Sequence, residues 1–339
     1  PYRNSIFLRE QHILEQELYF YLGTRKRDLD INLQETTDAL DLAYIADKLQ
    51  IACRMLAHKS VNKQANYNMG LLEPTLEYVD EQGLLKEPAV AVYYYGYKAL
   101  TEKEGDVFFT ELEKCIFEHG HLFPLAELRE IYLLAINYCV GRFNSGETDY
   151  AKRAFDLFRK GFEDNILLEN NLISRFTFGN AIAFALRLKE YDWVEKFIQQ
   201  FQHNLEEKYR RSVVHFNQSR LYFEKGDYDM AQRLLIQFEY DDMLLNIIAK
   251  TMLLKIYYEQ GEFDAFESLL ESMRIYLQRK EALDTHRKTA YKNLISIMKK
   301  LLHMNPYSKT QTERLRTLVV ETNPLMERDW LLRQLDGRR

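Results

Sequence analysis

Glycine and proline are scarce in this chain, 13 and 6 among 339 residues, and cysteine is scarcer at three. So few helix breakers exclude a protein made of tight hairpins and long irregular loops, because glycine and proline supply the backbone angles that sharp turns need. Cys53, Cys115 and Cys139 fall singly within apolar helical patterns. An odd, widely spaced set argues against a disulfide framework and for a reducing compartment. Long hydrophobic runs are missing as well. Ala89 to Tyr97 is the longest candidate, about half of the ~20 residues that cross a bilayer. A cytoplasmic protein without a membrane span is the expectation. Because Pro1 is not methionine, a preceding native segment, including a removed signal peptide, stays open.

A concentrated charge of one sign is also absent. The formal net charge of −5 is graded along the chain, with −9 over residues 1–170, −1 over 171–280 and +5 over 281–339. Such a gradient orients a partner lengthwise, but nucleic-acid binding calls for a concentrated basic face, so no nucleic-acid partner is expected. Catalytic signatures are lacking. Gly141 and Gly146 have the gap of a phosphate-binding loop, yet Glu147-Thr148 stands where Lys-Ser/Thr is required, and the stretch follows a helical pattern rather than a strand. No serine sits in a strained glycine-flanked turn and no His-Glu-x-x-His occurs. The weak metal candidates are Cys115 and His119, at i and i+4, with His121 just beyond. Cys115 shares the apolar face of Leu112 and Ile116 and no fourth ligand is evident, so neither a metal nor another cofactor is expected, nor an enzyme.

What the chain does have is helical periodicity throughout, with 46% hydrophobic residues, 23 Tyr and 20 Phe. These are enough large side chains for an extensive core and against disorder. Ile6 to Leu22 and Leu42 to Leu56 predict two long N-terminal helices around the basic run Arg25-Lys26-Arg27, and Pro74 marks the start or kink of a third. From Pro88 the pattern becomes regular pairs: about 89–104 with 107–119, 125–143 with 149–163, 171–188 with 192–206, 208–225 with 228–239, 242–260 with 263–279, and 282–304 with 308–322. Turns fall at Gly105-Asp106, at Asn144-Ser145-Gly146, and at Lys189 to Asp192, which has no glycine. Three later breaks share one signature: Gly226-Asp227-Tyr228, Gly261-Glu262-Phe263 and Asn305-Pro306-Tyr307.

Tyr222 to Leu235 places an aromatic before Gly226-Asp227-Tyr228 and Ala231 after it, and Tyr257 to Phe266 repeats the arrangement 35 residues on. These segments resemble the turn of a tetratricopeptide repeat, whose period is ~34 residues. The first-helix tryptophan of that family is replaced by His215 and Lys250. The N-terminal half also resembles bacterial helical-repeat proteins. The resemblance implies an all-α fold, a right-handed superhelical solenoid of antiparallel helix pairs over residues 88–322. Residues 1–87 form a divergent N-terminal helical region and residues 323–339 a capping helix with Trp330, Leu331, Leu332 and Leu335. Tyr222, Ala231 and Leu235, and then Tyr257, Phe266 and Leu270, are expected in the inter-helix core.

In such repeats the first helix of each pair lines a concave groove. The position six before each turn holds Arg220, Lys255 and Lys299, a row of cations, and three before the turn stand Phe223, Tyr258 and Leu302. This strip suits an acidic peptide or partner segment with apolar groups, and implies a protein-interaction module or scaffold. Ala183 at the earlier counterpart of Arg220 argues against base-by-base RNA reading. A peptide-sensing regulator whose output domain lies outside this chain, and a cryptic enzyme, are the alternatives. The partner's identity and the oligomeric state have no signal in the sequence.

Overall fold

The computed structural model describes residues 2–24, 31–62, 64–237, 243–279, 285–305 and 307–336. Arg25, Lys26, Arg27 and Pro306, singled out above, lie outside them. Among the described residues the chain forms sixteen α-helices and no strand, with isolated bridges at Glu169–Leu172 and Ile173–Leu205. It divides into two compact units. One comprises Pro1–Glu190 with Asn204–Glu206, the other Tyr191–His203 with Glu207–Arg339.

The first unit contains α1 (Ser5–Gly23), α2 (Leu33–Val61), α3 (Leu72–Gln82), α4 (Pro88–Thr101), α5 (Gly105–His119), α6 (Leu125–Asn144), α7 (Tyr150–Glu163) and α8 (Arg175–Arg187). Helices α1 and α2 pack along each other, α4 packs on α2 and α5, and α6 on α7. Polar side chains tie these layers together where apolar contact ends. Glu127 of α6 accepts from Tyr93 of α4 at 2.8 Å, from Gln50 of α2 at 3.2 Å and from Asn4, the α1 N-cap, at 2.7 Å. Burial, with Glu127 beside it, pushes the Tyr93 phenol far above its ordinary range, so Tyr93 stays a donor to that carboxylate.

The second unit contains α9 (Tyr191–Phe201), α10 (Glu207–Glu224), α11 (Tyr228–Ile236), α12 (Met243–Gln260), α13 (Phe263–Arg279), α14 (Thr285–His303), α15 (Lys309–Glu321) and α16 (Arg328–Asp336). Each helix from α10 to α16 packs on the next. One cluster joins Phe216, Ala231, Leu235 and Ile256 across α10, α11 and α12. A larger one runs from Ile247, Leu254 and Phe266 through Leu294 and Leu301 to Trp330, Leu331 and Leu335.

A common backbone device ends α6, α8, α10 and α12. Gly146, Lys189, Gly226 and Gly261 all take positive φ, between 62° and 107°. In each case the following N–H bonds back to a carbonyl five residues earlier: Glu147 to Arg142, Glu190 to Ala185, Asp227 to Tyr222 and Glu262 to Tyr257. This is the Schellman closure, which satisfies carbonyls that the helix end leaves open. Lys189 therefore fills the role of glycine at a strain cost of about 1 kcal/mol. The aromatics around two of these turns clasp them: Phe223 meets Tyr228 with ring centres 5.4 Å apart, and Tyr258 meets Phe263 at 6.0 Å.

Gly105 departs from the expected turn. It begins α5 and needs to be small for another reason: a Cβ there would stand 2.4 Å from the Ala99 carbonyl and 2.9 Å from the Tyr138 hydroxyl. Close approach of α4 and α6 selects glycine at this point. In the core, Ala231, Leu235, Phe266 and Leu270 are buried, as expected from their offsets from Gly226 and Gly261. Tyr222 and Tyr257 are only partly buried, and Tyr257 lies at the seam of both clusters. Phe266→Ala is accordingly expected to cost about 3–5 kcal/mol and Tyr257→Ala roughly half that, since part of its surface already meets water. Urea unfolding of the two variants measures the difference; equal costs would contradict this account of the core.

Candidate functional site on α10, α12 and α14

The i, i+3 spacing of Arg220 and Phe223 on α10, and of Lys255 and Tyr258 on α12, sets each pair on one helix face. The faces meet. Lys255 Nζ stands 4.6 Å from the centre of the Phe223 ring, a cation–π contact across neighbouring helices. Arg220 lies over the Phe216 ring at 5.8 Å and donates to Asn217 Oδ1 at 3.2 Å. Burial lowers the Arg220 pKa, and Glu224 and Glu327 oppose that shift.

This face is covered by the chain's own C-terminal segment. Lys255 Nζ pairs with Glu327 Oε2 at 2.9 Å, with 11% of the lysine side chain exposed. Three residues on, the Trp330 indole N–H donates to Glu259 Oε1 at 2.9 Å, and its ring meets Tyr258 edge-on at 5.4 Å. The Gln334 amide donates to the same Glu259 oxygen at 2.6 Å. On α14, Asn293 donates to the Pro324 carbonyl at 2.8 Å. Trp330, Leu331 and Leu335 are each 2% exposed or less, so the segment presents a buried apolar stripe beneath this polar frame.

Local features explain how the segment reaches its place. Arg328 donates to the carbonyls of Val320 and Thr322, both at 2.6 Å, and so satisfies acceptors at the end of α15. Glu327 then turns the chain into α16 with φ of 56°. A left-handed backbone costs a non-glycine residue on the order of 1 kcal/mol, and the pairing of its carboxylate with Lys255 offsets that cost. The segment is thus not a lid over the last helix pair alone, because its contacts reach back to α12.

Lys299 stands elsewhere. It lies about 120° around α14 from Asn293 at 100° per residue, and its charge acts on Glu271 of α13, whose pKa is lowered chiefly by its hydrogen bond from Arg274. With Lys300, His303 and Arg314 it rims an open cleft of about 570 Å³ floored by Met304, Leu315 and Leu318. Arg220 and Lys255 therefore share one covered face while Lys299 lines another, so the three cations do not form a single open row. Glu259, Glu327 and Trp330 are the members of the face that the repeat offsets do not reach. The one available signal was a tryptophan in a short terminal helix, which reads equally as an end cap.

The weak metal candidates are not gathered into a centre. Cys115 is buried beside Leu112 and Ile116, His119 is partly buried at the end of α5, and His121 is exposed in the turn that follows. Among the described residues no group of three or more His, Cys, Asp or Glu could hold a metal ion, and no helix there is long and apolar enough to cross a membrane. Comparison with known proteins adds no relative: no family model matches the chain, and no curated protein or solved structure matches it significantly.

Burial raises the Cys53 thiol to about 12 and the Cys115 thiol to about 11, and lifts Cys139 further. All three are then protonated at pH 8, and the thiolate is the reactive form. Ellman's reagent should leave the native protein unmodified for minutes at that pH and titrate three thiols after unfolding in guanidinium. Fast reaction of native Cys115 would show that this position is open to reagents and ligands.

Proposed function

We propose that this protein is an interaction module built from tetratricopeptide-like helix pairs, with α10, α12 and α14 as the first helices of successive pairs in the second unit. In this reading the pairs stack as a right-handed solenoid and the three first helices line its concave side. The four Schellman turns and the repeated aromatic clasps around Gly226 and Gly261 support the repeat. The groove's occupant is a partner segment carrying a carboxylate and a large aromatic one helical turn apart.

The observation that carries this reading is the position of Lys255. A cation with 11% of its side chain exposed, held between an aromatic ring and a carboxylate from 72 residues away, belongs to a surface selective for acidic segments. Desolvated pairs discriminate more strongly than pairs at a wet rim, because removing one member leaves the other without water or partner. Tyr258 and Glu259 add an aromatic edge and an acceptor that suit an indole.

Affinity selection from a helical-peptide library on the full chain tests the proposal. Recovered sequences should share an acidic residue followed three positions later by Trp, Tyr or Phe. Their binding should weaken with salt and by at least about tenfold on Lys255→Glu. Sequences without carboxylates, bound equally by the Lys255→Glu variant, would refute it.

A further inference from the structure

We infer that residues 323–336 are a built-in competitor for the groove, and that an external partner binds by displacing them with the same pattern of side chains. This inference rests on the proposed interaction role and specifies its ligand: an amphipathic helical segment with Glu, then Trp three residues later, then Leu one and five residues after the Trp. Those are the positions of Glu327, Trp330, Leu331 and Leu335. Each has a receptor contact: Glu327 on Lys255, Trp330 between Tyr258 and Glu259, and the two leucines in the apolar cluster beneath.

Three features favour an exchangeable segment over a fixed end cap. First, α16 has nine residues, below the ~12–15 at which isolated helices become even marginal in water. It is helical because it is docked, and a released segment loses its helix as it leaves. Folding and docking are one event, as in recognition of a disordered peptide. Second, among the described residues α12 and α14 hold the segment through their side chains: Lys255 to Glu327, Glu259 to Trp330 and Gln334, and Asn293 to the Pro324 carbonyl. No backbone hydrogen bond of α16 reaches α10, α12 or α14 there, while Arg316 to Asp336 and Arg328 to Val320 and Thr322 tie the segment to α15. An incoming helix reproduces the bonds to Lys255 and Glu259. Third, the receptor residues stay satisfied in both states. Lys255 exchanges one carboxylate for another, so its largely buried ammonium group is not left unpaired during occupancy by either ligand, and Glu259 exchanges one indole for another at the exposed edge.

Tethering gives the internal segment an effective concentration in the millimolar range. An external peptide of the same sequence consequently binds the intact chain weakly and binds an opened chain well. The test uses the full-length protein and a fluorescein-labelled peptide with the sequence of residues 321–336, read by fluorescence anisotropy. Glu327→Ala with Trp330→Ala opens the groove without altering the receptor helices, and Glu327→Ala alone serves as the milder variant should the pair lower folding. Circular dichroism checks that each variant retains its helix content.

The peptide should bind the opened chain at least about tenfold more tightly than wild type. Adding Lys255→Glu should remove that gain, and a peptide carrying Glu327→Lys should recover it on the Lys255→Glu chain. Loss of packing does not produce such a charge-swap rescue. Equal affinity for the wild-type and opened chains would overturn the competitor while leaving the interaction module standing. A folded, opened chain that binds no peptide would overturn both.

Discussion

Neutralisation of Lys255 ties the C-terminal segment to α12. An ammonium group removed from water needs a partner that recovers most of the lost hydration, and Glu259, one turn along the same helix, is engaged by Trp330 and Gln334 instead. The Phe223 ring contributes from α10, and the carboxylate of Glu327 arrives from the turn into α16. Glu327 reaches its position through a left-handed backbone, and that turn aims Trp330 at Tyr258 and Glu259. Contacts distant in sequence are thus linked in series, and through them the C-terminal segment docks on α12 and α14.

The two matching turns were legible because they depend on local chemistry. A helix that stops with a left-handed residue prefers glycine there, so Gly226 and Gly261 announce both the turn and the 35-residue spacing. The aromatic three before and the aromatic two after each glycine meet across it, which is why the two signatures look alike. Phe266, Leu270, Ala231 and Leu235 followed from the same offsets.

Where the pattern misled, a tertiary demand had replaced a local one. Gly105 opens α5 instead of forming the turn, and it is glycine because Ala99 and Tyr138 leave no room for a Cβ, whereas the glycine-free turn expected from Lys189 falls where the pattern placed it. The row of three cations failed as a row for a related reason: equal offsets from a turn signature do not fix equal surroundings. Lys255 found Glu327, whereas Lys299 faces Glu271 and the cleft beside α15. Trp330 was visible as a large apolar anchor, but its contact with Glu259, 71 residues earlier, has no local trace.

The most direct measurement is a double-mutant cycle on Lys255 and Glu327, using the Lys255→Ala, Glu327→Ala and combined variants of the full chain. Both tryptophans, Trp193 and Trp330, belong to the second unit, so tryptophan fluorescence during urea unfolding reports on that unit. With side-chain exposures of 11% and 33%, screening trims the interaction but does not remove it. A coupling free energy of about 1 kcal/mol or more is the predicted result. Additive losses, with no coupling between the two positions, would contradict the claim that this pair holds the C-terminal segment against α12.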